Sequence, residues 1–351
     1  MLRLGDAGPA VAEVRSRLLY LGFDVASSAP EVFDASLDEA VRAFQQERGI
    51  NVDGIVGPQT FRRLDEARWQ LGDRVLSYIP GHLMRGDDVT ELQRRLNQLG
   101  FDAGRPDGVF GANTDAALRE FQSGVGVVSD GTCGLETFRA FDRLVRAVSG
   151  GNATALREQA SVLDLQTGIG NKVVVLDPGS VSDTDFADTD PCHAIAVRVE
   201  GRLAALGTQV VLTRPSHGYS PDDIARAQFA NDVDADMVVS LHIDWAPSPT
   251  PNGIATFYFG DSRGGVFSAA GRELAEAVHS EIVHRTDLLD CRTQPRTWDL
   301  LRLTRMPAVR VEVGYASNAA DRRRLGSPSF QEAVAEAMAS AMTAFCSPRG
   351  R

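Results

Sequence analysis

The chain has 351 residues, enough for two or three compact units, and its 43% apolar and 24% charged content is that of an ordinary globular protein. A formal charge of −11 argues against a nucleic-acid partner, which calls for a cationic surface, and no apolar run reaches the roughly 18 residues of a transmembrane segment. The opening MLRLGDAGPAVAEV lacks the basic and apolar regions of an export signal, so, read as a native start, it places the protein in the cytoplasm.

In chain order, the first half repeats itself. AVAEVRSRLLYLGFD (10–24) returns as DVTELQRRLNQLGFD (88–102), and AVRAFQQERGINVDGIVGPQTFRRL (40–64) returns as ALREFQSGVGVVSDGTCGLETFRAF (117–141). A period near 77 residues marks two copies of one small module and not a short-period solenoid. Val11, Val14, Leu18 and Leu21, like Val89, Leu92, Leu96 and Leu99, follow helical spacing, with Gly22 and Gly100 as left-handed terminators. A second helix carries Ala40, Val41 and Phe44, matched by Ala117, Leu118 and Phe121. Asp53-Gly54 and Asp130-Gly131 then signal a turn before a third helix, which in the first copy opens near Gln59-Thr60.

With its GD…V..LQ..L..LGFD, DG.FG..T..A...FQ and DG..G..T segments, the duplicated unit resembles the peptidoglycan-binding-domain-1 family. The second copy carries the fuller pattern, at Asp107-Gly108-Val109-Phe110-Gly111 and Thr114, while the first has an altered connection at SSAPEVFDASLD. The resemblance implies a three-helix fold with a groove for cell-wall glycopeptide; the same residues also serve core and turns. The expected boundaries are 1–70 and 78–145 for the modules, 146–171 for a linker opening at Ser149-Gly150-Gly151 with a short helix near Asn152, and 172–347 for a second domain.

That second domain alternates strand and helix. Strands are expected at 173–179, 209–214, 236–244, 253–260 and 308–317, and helices at 194–207, 222–232, 268–286 and 329–345. Near-continuous β-branched runs between helices indicate an α/β domain with a mostly parallel sheet covered by helices. The four cysteines include no C-x-x-C pair, and reduced, mostly buried thiols are expected.

In such a sheet, chemistry gathers at the carboxyl ends of the strands. Ser180, His242, Glu312 and the acidic loop ADTDPCH (187–193) lie there, and a histidine and a glutamate beside a loop of acids suggest zinc hydrolysis. VVVLDPG, LAALGTQVVLTR, IARAQFAND, VVSLHID and PAVRVEVGYASN resemble the amidase-3 family, the zinc N-acetylmuramoyl-L-alanine amidases, over about 172–346. The resemblance places metal ligands at 180, 188 and 242 and a catalytic base at Glu312. His242 and Glu312 match; Ser180 replaces the histidine of a DPGH turn, and Asp188 stands for a glutamate.

Zinc holds three protein ligands and a water at bonds of roughly 2 Å, and neither a neutral hydroxyl nor a shortened carboxylate meets that need easily. Non-catalytic use is therefore expected, with Glu312 in a vestigial role or as a buried acid paired with Arg302 or Arg310, and with Arg226 orienting a neighbouring carboxylate or carbonyl. Asp190, Cys192 and His193 are the nearest substitute ligands, His193 also reading as a helix-face residue beside Ile195.

Two helical modules followed by a damaged amidase domain further resemble the regulatory amidase homologues of actinobacteria, a likeness that RTWDLLRLTRMPAVRVEVGY (296–315) supports. That resemblance implies a regulator of peptidoglycan synthesis that contacts a MurA-type enolpyruvyl transferase, with muropeptide as a further ligand and no cofactor. The alternative is an active amidase cleaving between N-acetylmuramic acid and L-alanine, with zinc on His242, Asp188 and a loop residue.

Overall fold

The computed structural model describes residues 1–27, 29–144, 162, 165–179, 186, 190–215, 220–261 and 266–348. The chain forms two units, Met1–Arg157 and Glu158–Arg351. The expected helix near Asn152 lies outside the described residues.

The first unit holds two three-helix modules: α1 (Pro9–Tyr20), α2 (Ala35–Glu47) and α3 (Pro58–Ala67), then α4 (Asp87–Gln98), α5 (Ala112–Gly124) and α6 (Leu135–Leu144). Each has its own core at the helically spaced positions, with Val11, Val14, Leu18, Val41 and Phe44 in one and Val89, Leu92, Leu96, Leu118 and Phe121 in the other. Leu76 is fully buried in the second core and bridges to Cys133, so that module takes in residues ahead of 78.

In each copy a buried glutamine ties the turn before the third helix to the helices, and in the second copy Gln93 does the same at Asp107-Gly108. Gln122 Nε2 donates to Asp130 Oδ1, Thr132 O and Thr137 Oγ1 at 3.0–3.1 Å, and its Oε1 accepts from Gly131 N at 2.9 Å. Gln45 repeats the pattern on Asp53, Ile55 O, Thr60 and Gly54 N. Gly54 and Gly131 share a φ near +70° (72° and 71°), and a Cβ there would come within 2.3 and 2.1 Å of Asp38 and Asp115. Only glycine serves at these turns.

The second unit is a seven-stranded sheet of β1 (Val173–Pro178), β2 (Gln209–Leu212), β3 (Met237–Asp244), β4 (Ile254–Asp261), β5 (Val266–Phe267), β6 (Asp290–Arg296) and β7 (Ala308–Tyr315), ordered β2-β1-β3-β7-β4-β5 with β6 beside β4. Its helices are α7 (Pro191–Ala204), α8 (Asp223–Asp232), α9 (Ala269–Arg285), α10 (Asp299–Leu303), α11 (Ala319–Leu325) and α12 (Pro328–Phe345). The sheet is mixed: β2, β1, β3 and β7 run parallel, while β4 is antiparallel to β7 and β5 and parallel to β6.

Helix α7 opens at Pro191, ahead of the expected 194, because Asp190 caps it through His193 N at 3.1 Å. Strand β6, DCRTQPR, was not expected: it is polar, contains a proline and lies at an edge, where proline is tolerated. Cys133, Cys192 and Cys346 are buried free thiols and Cys291 is partly exposed, in line with the sequence reading.

Strand alternation sorts the two faces of the sheet. Val174, Leu176, Val239, Leu241, Val309 and Val311 join α7, α9 and α12 in the large core. The alternate residues Asp177, Ser240, His242, Arg310 and Glu312 occupy the opposite face, the one α8 reaches through Arg226.

The buried glutamine gives a stability test. Gln122→Ala leaves the Gly131 N–H without its partner, while the Thr132 carbonyl keeps Thr137 Oγ1, and an unfilled buried group costs about 1–3 kcal/mol. Chemical denaturation is expected to show a loss of about 1–3 kcal/mol; a loss below about 0.5 kcal/mol would show that the network does not hold the turn.

Candidate functional site

The centre of the site is Asp177, at the end of β1, with a side chain that has no solvent exposure. Its Oδ1 accepts from Thr213 Oγ1 at 2.5 Å, and its Oδ2 accepts from Ser240 Oγ at 2.5 Å and from Arg226 Nη1 at 2.8 Å. Burial pushes the Asp177 pKa up, but His242, Arg226 and Ser240 outweigh it and hold the carboxyl well below the usual carboxylate range.

Arg226, on the first turn of α8, is spent on all sides. Nε donates to Pro221 O at 2.8 Å, Nη2 to Ser220 Oγ at 2.6 Å, and Nη1 reaches both Asp177 and His242 Nε2, the latter at 3.1 Å. An arginine can only donate, so Nε2 of His242 accepts, and the ring proton sits on Nδ1. The 3.7 Å from Nε2 to Asp177 Oδ2 is too long for a competing hydrogen bond. Nδ1 faces Gly179, where a Cβ would lie 2.4 Å away. In this arrangement the Nε2 lone pair is engaged by Arg226. Burial first, and the Arg310 charge second, lower the His242 pKa to about 4.

Glu312 lies beside His242 in register across β3 and β7. Burial raises its pKa and Arg310, whose Nη2 is 3.1 Å from Glu312 Oε1, opposes the rise. Arg310 is the partner, and Arg302 pairs with Asp299 at 3.0 Å instead. Arg310 also stacks over the Trp298 ring at 4.5 Å, and Trp298 meets Phe257 with centroids 4.7 Å apart. Both residues that the family pattern assigns to chemistry are therefore bonded to an arginine.

Ser180 and Asp188 lie outside the described residues. The substitute ligands are committed elsewhere or unsuited. Asp190 caps α7 and receives Arg214 Nη2 at 2.5 Å, while the same guanidinium donates to Pro178 O and Gly179 O at 2.7 Å. Cys192 is fully buried, and burial drives its thiol far above the ordinary range, away from the thiolate that metals bind. His193 sits in the first turn of α7 and has interactions of its own. Among the described residues no three His, Cys, Asp or Glu side chains are grouped to hold a metal ion, so these residues by themselves do not make a zinc site.

The sequence reading missed Thr213, Ser240 and Arg214, which hold Asp177 and the β1 turn. A signal for Ser240 was available: it lies two residues before His242 in one strand and so on the same face. No helix among the described residues is long and apolar enough to cross a membrane.

Two outcomes follow from this geometry. Arg226→Leu strands Asp177 as an unpaired buried charge, so a loss of about 3–5 kcal/mol is expected on denaturation, and a loss under about 1 kcal/mol would contradict the buried pair. His242 titrates near 6.5 when unfolded and about 4 when folded, so across that window the unfolded chain binds more protons and stability falls as pH falls. The full difference amounts to about 3 kcal/mol. His242→Gln is expected to flatten the slope between these pH values, and an unchanged slope would show that the ring does not titrate as a buried neutral group.

Comparison with known proteins agrees with this architecture. Residues 166–344 match the N-acetylmuramoyl-L-alanine amidase family, and residues 7–64 and 85–141 each match the putative peptidoglycan binding domain. The chain is 44% identical over 360 residues to the N-acetylmuramoyl-L-alanine amidase CwlM of Mycobacterium tuberculosis, covering 97% of this chain and 88% of that one. A probable N-acetylmuramoyl-L-alanine amidase of Bacillus licheniformis is 31% identical, over 39% of this chain and 43% of its own. Among solved structures, the amidase of Clostridium difficile 630 shares 24% identity at a TM-score of 0.45, over 50% of this chain and 97% of its own. The catalytic domain of CwlV from Bacillus (Paenibacillus) polymyxa shares 30% at 0.44, over 50% and 97%. The chain belongs to the N-acetylmuramoyl-L-alanine amidase family, with two peptidoglycan-binding modules ahead of the amidase domain.

Proposed function

We propose that this family member is a non-catalytic regulator of peptidoglycan synthesis. The observation that carries the reading is the Arg226–His242 bond, which spends the histidine lone pair that zinc would need. Three features support it: serine in place of a ligand histidine at 180, aspartate in place of glutamate at 188, and Arg310 on the family base Glu312. Losing a group that only orients a metal ligand costs roughly 10- to 100-fold in metal affinity, and losing the ligands themselves costs more.

The regulator acts by protein–protein contact, with a MurA-type enolpyruvyl transferase as the partner and the cytoplasm as the compartment. Its helical modules take muropeptide or peptidoglycan as a further ligand. No cofactor takes part.

Metal analysis of the purified full-length chain, paired with a muropeptide-cleavage assay, tests the central point. Zinc well below one equivalent and no release of free stem peptide are expected. Near-stoichiometric zinc, lost together with cleavage in His242→Ala, would establish the active amidase instead. Capture of the MurA-type enzyme by the chain, with a change in that enzyme's rate, is expected; sedimentation with insoluble peptidoglycan and no such capture would make it a wall-binding protein.

A further inference from the structure

The two helical modules differ where they meet, and the difference is informative because they are copies. Arg48, the C-cap of α2, places Nη1 at 2.9 and 2.7 Å from the two carboxylate oxygens of Asp87, the first residue of α4. In the connection, Arg74 donates to Asp88 through Nε at 2.7 Å and Nη2 at 3.1 Å, and to Arg85 O at 2.6 Å. Trp69 lies between two guanidiniums, Arg68 at 4.4 Å and Arg74 at 4.5 Å.

Internal alignment shows what these residues are for. Asp87 and Asp88 of the second copy correspond to Pro9 and Ala10 of the first, and Arg48 of the first corresponds to Val125 of the second. Neither set is needed to build a module, since the other copy folds without it. Asp88 is nonetheless 1% exposed, a burial that an acid tolerates only with a partner, and its partner comes from the connection. Gly86 fits the same purpose. A Cβ there would fall 2.2 Å from Asp88 and 2.9 Å from Arg74, whereas its counterpart Gly8 has nothing within 4 Å. Leu71 and Tyr78 of the connection pack against the second core, so the connection is part of a folded unit and not a loose tether.

We infer that Arg48–Asp87 and the Arg68–Trp69–Arg74–Asp88 stack form a clasp that locks the two modules into one rigid body. A rigid pair holds the two copies at a fixed spacing. On the reading that both modules take wall glycan, a strand long enough to meet both gains effective concentration at the second surface, and a single repeat gains nothing.

Residual dipolar couplings on the full chain test the clasp directly. One alignment tensor is expected to fit the amides of residues 9–67 and 87–141 in the wild type, and two tensors in Arg48→Ala/Arg74→Ala. Independent tensors in the wild type, or a single tensor in that variant, would overturn the clasp. Arg48→Ala alone and Asp87→Ala provide milder variants should the double change unfold the second module; they are read in the same way, and their amide spectra report whether each module stays folded. For the ligand, peptidoglycan fragments of one and of several disaccharide repeats are titrated. At least a tenfold advantage for the longer fragment is expected, lost in the clasp variant with single-repeat affinity unchanged. Equal affinities, or an advantage that survives the variant, would overturn bivalent binding. Failure of every fragment to bind would reject the glycan reading of the modules, while the tensors still decide the clasp.

Discussion

A single buried ion pair, Asp177 with Arg226, sets the geometry of the amidase domain's carboxyl-end face. Its carboxylate gathers Thr213 after β2, Ser240 on β3 and Arg226 on α8, so one acid at the end of β1 ties three elements together. A buried pair of this kind adds little net stability over an apolar equivalent, yet removing one member is costly. It fixes where things are more than how firmly the domain folds. What it fixes here is His242, held as a neutral acceptor by the same guanidinium.

The family scaffold is kept, and on the proposed reading its chemistry is blocked. Arg214 still clamps Pro178, Gly179 and the α7 cap, and Gly179 still lets the β1 turn pass against the imidazole ring. Two arginines then sit on the two residues that hydrolysis would use, and their charge opposes the approach of a divalent cation. Arg310 also lies over the face of the Trp298 ring.

Much of this was legible in the sequence. Helical spacing at Val11, Val14 and Leu18 and its repetition at Val89, Leu92 and Leu96 gave the modules, because buried positions in a small helical core leave a periodic trace. β-branched runs gave β1, β3 and β7, and the segment order placed His242 and Glu312 at neighbouring strand ends. Strand β6 was hidden because an edge strand need bury no continuous apolar run. Pair choices were hidden as well. Arg302 and Arg310 stood equally close to Glu312 in prospect, and only the turn into α10, which gives Arg302 its own acid in Asp299, separates them. The clasp between the modules needed both copies in three dimensions, since an arginine and an acid 39 positions apart carry no local pattern.

The whole account rests on guanidinium, not metal, being the cation at His242. Diffraction from crystals grown in excess zinc, collected on both sides of the zinc absorption edge, addresses that directly. The account predicts continuous density from Arg226 to the imidazole and no anomalous peak within bonding distance of the ring. A peak bound to Nδ1 or Nε2 of His242, with a second protein ligand from the 180–190 segment, would contradict it.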